Sequence, residues 1–203
     1  MTQEVKKETP RTPLVAYAGI AAVVLEWLTL LSFLILDFQY AEQLRPISYF
    51  ATRPATQQMF TVGFAASGIL VWLFVVLWAR KFIKISLILF SLSMGFFIAM
   101  ATIPFRPEEI QNLIQHEYIT ALFALTYVLG MIHVGVRTTN PGLRRVSLSC
   151  GAIGLAFGII TYNTNNAVNT QTIIFYEIIC ALAAQFWIIY LSNYILKLKK
   201  DPQ

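Results

Sequence analysis

The sequence predicts an all-α integral membrane protein, a bundle of six transmembrane helices with both termini in the cytoplasm. Of its 203 residues, 57% are hydrophobic and only 12% are charged, whereas soluble domains average about 45–50% apolar and about 25% charged residues. Six apolar runs approach the roughly 20 residues that a helix needs to cross a bilayer. The runs are continuous rather than alternating, so they predict helices and not barrel strands.

The six predicted spans are each bounded by charged residues, proline or amides, and they cover residues 14–36, 59–79, 85–105, 118–136, 146–162 and 173–196. They form one membrane domain over 14–196, between a cytoplasmic N-terminal tail of residues 1–13 and a basic cytoplasmic tail of residues 197–203. The first run is longer than the 7–15 residues of a signal-peptide core, and no small-x-small cleavage site follows it. We therefore interpret it as a retained first span.

The basic residues predict the orientation. Twelve of the fifteen lysines and arginines lie in the two tails or in the connections after the second and fourth spans, and only Arg45, Arg53 and Arg106 lie in the other connections. By the positive-inside rule both tails face the cytoplasm, most simply across a prokaryotic cytoplasmic membrane. The net charge of +5 then needs no nucleic-acid partner to explain it.

The connections differ in length and character. The long first outer connection, 37–58, is amphipathic and is expected to lie along the membrane interface. The second, 106–117, begins with Pro107-Glu108-Glu109, an acidic helix-start pattern, and the third, 163–171, is uncharged and rich in asparagine. The cytoplasmic hairpins are short, and the one over 137–145 contains Asn140-Pro141-Gly142, a turn signal.

Glu26 is the ionisable residue deepest in a predicted span. It lies about 18 Å from the cytoplasmic end of the first helix, near the centre of a core about 30 Å thick. Small residues share its helix face, which indicates a face buried against other helices. An acid at this depth is a functional candidate by default, here as a proton or cation site. The alternative is a glutamic acid that only hydrogen-bonds a neighbouring helix.

A second group of candidates lies at the outer end of the spans. Asp37 closes the first span, His116 precedes the fourth, and Glu177 lies about 6 Å inside the sixth. Because they share one level, they are candidates to line an outward-facing pocket, as an acid–base pair or as metal ligands, although no metal site is firmly predicted. Tyr127 follows His116 along the same helix face and joins the candidate ligand-binding residues. The alternative is an ion-pair network that fixes the helix ends.

Several cofactor classes are argued against. No lysine lies inside a span to form a retinal Schiff base, and His116 and His133 lie about 25 Å apart on one helix, too far to hold one haem. No phosphate-binding glycine loop and no hydrolase motif occurs, so nucleotide chemistry and familiar intramembrane hydrolysis are disfavoured. Cys150 and Cys180 differ in height by about 12 Å, beyond disulfide reach. No cofactor is predicted beyond a bound lipid, and the sequence favours a protein that is not an enzyme.

Small residues mark predicted helix-packing faces. In the fifth span Ser147, Gly151, Gly154 and Gly158 recur at intervals of three and four residues, and Gly63 and Ser67 do so in the second. Such spacing lets a neighbouring backbone approach closely. The tryptophans are expected in the interfacial belt or facing lipid, among them Trp72, Trp78 and Trp187.

Short motifs add a family resemblance. Pro46-Ile47-Ser48-Tyr49 precedes the second span, which opens with Met59-Phe60-Thr61-Val62-Gly63; His116 opens the fourth span with Ala121 behind it, and Glu177 lies near the outer end of the sixth. This pattern resembles the DUF998 family of prokaryotic membrane proteins, which is considered related to the Frag1/DRAM/Sfk1 group. The resemblance covers about residues 14–195. It implies six helices and a role with lipids, but no reaction.

The sequence leaves three functional hypotheses open. The first is a polytopic protein that binds or handles a lipid or amphiphile at an outward-facing site around His116 and Glu177. The alternative is a non-catalytic accessory subunit of a larger membrane assembly, whose partners are other integral membrane proteins or further copies of this chain. The third is a proton- or cation-coupled transporter using Glu26, which the lack of broken spans and of internal repeats disfavours.

Overall fold

The computed structural model describes residues 13–41, 43, 46–79, 84–164 and 170–200. All regular structure in this part of the chain is helical, in the order α1 (Pro13–Leu36), α2 (Phe38–Ala41), a 3-10 helix (Ile47–Thr52), α3 (Gln57–Ala79), α4 (Lys84–Thr102), α5 (Ile110–Arg137), α6 (Pro141–Thr164) and α7 (Thr170–Lys200). The predicted N-terminal tail up to residue 12, the last three residues of the C-terminal tail, and Arg80 and Lys81 lie outside the described residues.

Six of these helices are long and apolar enough to cross a membrane. The predicted all-α bundle of six spans is therefore confirmed, and the chain is a polytopic membrane protein. Because successive spans pack side by side in antiparallel directions and their number is even, α1 begins at the same end of the bundle where α7 ends. We call this the terminal end, and the opposite end, which carries the 3-10 helix, the distal end.

The spanning helices form a closed ring. Each packs against the next along the chain, and α7 packs back against α1. Hydrogen bonds cross the seams: Ser67 Oγ donates to the Ala22 carbonyl at 3.2 Å between α3 and α1, and Ser93 Oγ donates to the Phe123 carbonyl at 3.0 Å between α4 and α5. In lipid such bonds and close packing stabilise helix pairs, because apolar surface gains little by leaving a lipid environment.

Several helix boundaries differ from those predicted, among them those of α7, which runs from Thr170 to Lys200 rather than over 173–196. Three of the differences have a local reason. Helix α5 begins at Ile110 rather than 118. The predicted start is late because the first turns of the helix are too polar to be recognised as part of an apolar span. Helix α6 begins at Pro141 rather than 146. The Asn140 side chain accepts a 2.9 Å bond from the Leu143 backbone N–H, so the predicted turn is a helix cap with proline in the first helical position. Helix α4 ends at Thr102 rather than 105, because Pro104 disfavours helical geometry at the residue before it.

The middle of the ring is filled by aromatic side chains. Trp187 is fully buried and stacks on Phe90, with ring centroids 5.1 Å apart. Its indole N–H donates a 2.8 Å hydrogen bond to the buried hydroxyl of Ser147 on α6. The expectation that Trp187 faces lipid or the interfacial belt is therefore wrong: its ring fits the interior because a hydroxyl meets its one polar group. Trp72, which is 41% exposed, does lie on the surface.

The glycines of α6 divide into two kinds. A Cβ added at Gly151 would lie 2.6 Å from Ile132 Cγ1, and one at Gly154 would lie 2.8 Å from Val128 Cγ2, so both allow α5 to approach closely. A Cβ at Gly158 meets no described atom within 4 Å. The packing face expected from the sequence therefore ends at Gly154 within the described residues.

Candidate functional site

The 3-10 helix forms a cap over the distal end of the bundle. Its Phe50 is buried and stacks on Phe33 of α1, with ring centroids 4.7 Å apart. Thr56 follows the cap, is fully buried, and donates a 2.6 Å hydrogen bond from its hydroxyl to the Phe50 carbonyl. The first connection therefore packs into the bundle through its aromatic residues, and does more than lie along the interface.

Glu177 anchors the start of this cap. The backbone N–H of Ile47 donates a 3.0 Å hydrogen bond to Glu177 Oε2, joining the first turn of the 3-10 helix to α7. A carboxylate at a helix start satisfies a backbone donor that has no partner inside the helix. Glu177 thus makes a structural contact that links the first connection to the last span, 130 residues apart in the chain.

Asp37 anchors the other end of the cap. Arg53, the residue after the 3-10 helix, donates a 2.8 Å bond from its Nε to Asp37 Oδ2. The Asp37 side chain is only 12% exposed, but that of Arg53 is 45% exposed. Pairs with a solvated partner contribute about 0–1 kcal/mol. The contact therefore orients the end of the cap more than it stabilises the fold.

His116 lies at the edge of the same end. Its ring packs on Phe105, with centroids 4.3 Å apart, and Phe105 in turn meets the edge of Tyr49 in the cap at 5.4 Å. A notch of about 10 Å³ opens beside the imidazole, close to the smallest volume that holds one water molecule. Its lining is mixed, with polar Asn112 and Gln115 beside apolar side chains.

The structure therefore relates the distal candidates through the cap and not to one another directly. Asp37 and Glu177 bind its two ends, and His116 reaches it through Phe105 and Tyr49. Within the described ranges no group of three potential metal-binding side chains occurs. This arrangement is close to the alternative of groups that fix helix ends. Of the three residues, His116 is the one whose side chain makes no hydrogen bond with the described residues.

Tyr127 lies elsewhere, in the centre of the bundle beside Glu26. The Tyr127 side chain is buried among Phe90 and Trp187, and its hydroxyl lies close enough to interact electrostatically with the Glu26 carboxyl. Gln185 of α7 lies against the same carboxyl. Two candidates that the sequence placed in separate sites thus belong to one polar centre.

The polar centre contains groups without partners. The Tyr127 hydroxyl and both polar atoms of the Gln185 amide are buried, and none of them makes a hydrogen bond of standard geometry with the described residues. Gln185 itself is only 4% exposed. Sequence reasoning missed Gln185, because it considered ionisable residues in spans and passed over amides. A lone amide in the middle of an apolar span was the available signal.

Comparison with known protein families, with curated proteins and with solved structures finds no significant match. The site must therefore be interpreted from its own geometry.

Proposed function

We propose that this protein binds a membrane amphiphile at its distal end, with His116 as the residue that contacts the polar headgroup. The observation that carries the proposal is the state of the imidazole. Neither ring nitrogen has a hydrogen-bond partner among the described residues, although the ring is partly buried and packed on Phe105. A neutral imidazole has one donor and one acceptor nitrogen, so it is suited to a hydroxyl, amide or phosphate group.

The shape of the notch supports an amphiphile over a small soluble ligand. With about 10 Å³ it admits a single headgroup atom or water. Met100, Ile103 and Ile119 form its apolar side. The acyl chain would therefore lie outside the notch, along the apolar surface of α4 and α5, while its headgroup meets His116.

Asp37 and Glu177 have a supporting role in this proposal. They fix the two ends of the cap, whose Tyr49 holds Phe105 against the imidazole. The proposal retains the predicted orientation, which places the distal end in the outer leaflet of a prokaryotic cytoplasmic membrane, and the DUF998 relationship.

Native mass spectrometry of protein released from nanodiscs of phosphatidylethanolamine and phosphatidylglycerol tests the proposal. We expect a lipid adduct that is retained about five-fold less in His116→Ala, since one hydrogen bond contributes about 1 kcal/mol. His133→Ala is the matched control, because His133 lies on the same helix and instead hydrogen-bonds Ser86 at 2.8 Å. Equal retention in both variants would overturn the proposal, and a protein partner retained in both would favour the accessory subunit.

A further inference from the structure

The centre of the bundle contains an acid, a phenol and an amide among mostly apolar side chains. Glu26 lies near the middle of α1, Tyr127 projects from α5, and Gln185 projects from α7. Leaving a buried polar group without a partner costs about 1–3 kcal/mol. Three such atoms on two neighbouring side chains indicate that the centre holds something that completes their hydrogen bonds.

We infer that Glu26, Tyr127 and Gln185 form a hydrated proton-binding site, in which Glu26 exchanges its proton through ordered water reached from the terminal end. This inference is independent of the amphiphile proposal, which concerns the other end of the bundle.

The unpaired atoms are suited to water because they include donors as well as an acceptor. The Tyr127 hydroxyl and the Gln185 amide nitrogen donate, and the Gln185 carbonyl oxygen accepts. A water molecule accepts from these donors and donates to the Gln185 carbonyl oxygen and the Glu26 carboxylate. Buried waters typically make about three hydrogen bonds to groups of this kind.

A route for the proton follows the seam between α1 and α7. Ser192 lies seven residues beyond Gln185, about 10 Å nearer the terminal end and on the same helix face. Its hydroxyl is buried and also has no partner among the described residues. Gly19 faces it, and a Cβ there would lie 2.5 Å from Ser192 Oγ, so glycine leaves this hydroxyl its space. Glu26 keeps part of its surface accessible although protein surrounds its carboxyl.

The other titratable groups around Glu26 are few. Helix α3, which packs on the other side of α1, has none in its sequence from Gln57 to Ala79. Helix α5 presents Tyr127, and α6 presents Cys150, which lies near the Tyr127 hydroxyl. On α7, the nearest titratable group toward the distal end is Cys180, whose sulfur lies 3.9 Å from the Gly154 carbonyl oxygen. The nearest titratable group on α7 toward the terminal end is Tyr190, which lies close to Gly142.

Infrared difference spectroscopy of the protein in lipid nanodiscs tests the inference. A carboxylic-acid C=O band is recorded while the pH changes from about 4 to about 10, the range of free carboxyl and tyrosine groups, and again after transfer to heavy water. We expect a band that titrates, shifts quickly in heavy water, and is lost in Glu26→Gln. Gln185→Leu and Tyr127→Phe should shift it, and Ser192→Ala should slow its exchange.

Glu177→Gln is the matched control, because Glu177 is also an acid in a spanning helix and its bond is to a backbone N–H. The band should persist in this variant. If Glu26→Gln fails to fold, the shifts in Gln185→Leu and Tyr127→Phe still assign the band. A band that neither titrates nor exchanges would overturn the inference, as would one that responds to sodium at constant pH or one that disappears in Glu177→Gln.

Discussion

The contact between α1 and α3 at Gly63 makes a sharp test of the packing. A methyl group added at Gly63 would overlap Thr29 Oγ1 and would lie 2.6 Å from Thr29 Cγ2 and 2.9 Å from Thr29 Cβ. Rotation of the threonine side chain moves Oγ1 and Cγ2 but leaves Cβ in place. Thr29 is 2% exposed, so its surroundings are already filled. Gly63→Ala therefore requires α1 and α3 to separate.

We expect Gly63→Ala to cost about 1–3 kcal/mol, the range for adding a methyl group to a filled interior. At about 2–4 °C per kcal/mol for a chain of this size, thermal unfolding in mild detergent should show a clear decrease in the midpoint. Gly95→Ala is the matched control, since a Cβ at Gly95 meets no described atom within 4 Å. That variant should be neutral or slightly more stable, because alanine favours a helix over glycine by about 1 kcal/mol.

Thr29→Ala combined with Gly63→Ala separates steric overlap from other causes. Thr29→Ala removes Oγ1 and Cγ2 of residue 29, so that only the 2.9 Å contact between its Cβ and the Cβ added at residue 63 remains. It breaks no bond between helices, because the Thr29 hydroxyl donates to the Leu25 carbonyl of its own helix. Part of the lost stability should therefore return. A wild-type midpoint for Gly63→Ala, or no recovery in the double variant, would refute the reasoning.

Three further changes test other contacts. Glu177→Ala removes the acceptor of the Ile47 N–H, so amide hydrogen exchange in the 3-10 helix should rise several-fold, whereas Glu177→Gln retains an acceptor and should stay near wild type. Trp187→Phe leaves the buried Ser147 hydroxyl without its donor and should cost about 1–3 kcal/mol; a further Ser147→Ala should recover part of this in the same unfolding assay. Gly154→Ala should lower the unfolding midpoint by meeting Val128, whereas Gly158→Ala should not; equal effects of the last two would contradict the packing described for α6.

The membrane spans could be predicted because hydropathy is a local property of the chain. The predicted starts of α5 and α6 were late by several residues for the same reason, since the helices continue through polar turns that hydropathy scores as loop. A single cap, the Asn140 side chain, decides the start of α6. The burial of Trp187 depends on Ser147, 40 residues away, and a single sequence does not pair such residues.

The candidate sites show the same limit. Periodicity placed Tyr127 on the face of His116 but did not fix its depth, which is eleven residues or about 16 Å further along α5. What Tyr127 meets there depends on how the ring closes, because Glu26 lies on the first span and Gln185 on the last. A single sequence carries no signal for that closure. The level shared by Asp37 and Glu177 was informative, but their partners come from the cap that lies over the helix ends.

The position of the aromatic residues bears on which end of the bundle the proposed site exchanges its proton with. Phe33 lies seven residues distal to Glu26 on α1, and Phe97 and Phe123, whose rings are 4.9 Å apart, lie on the distal side of Tyr127. These rings separate the polar centre from the cap that Glu177 and Asp37 fix in place. The unpaired Ser192 hydroxyl lies on the opposite side of the centre. A site that exchanges with one side of the membrane senses the proton concentration there, whereas transport requires access from both sides in turn. For the proton site inferred above, we therefore expect exchange with the terminal end alone.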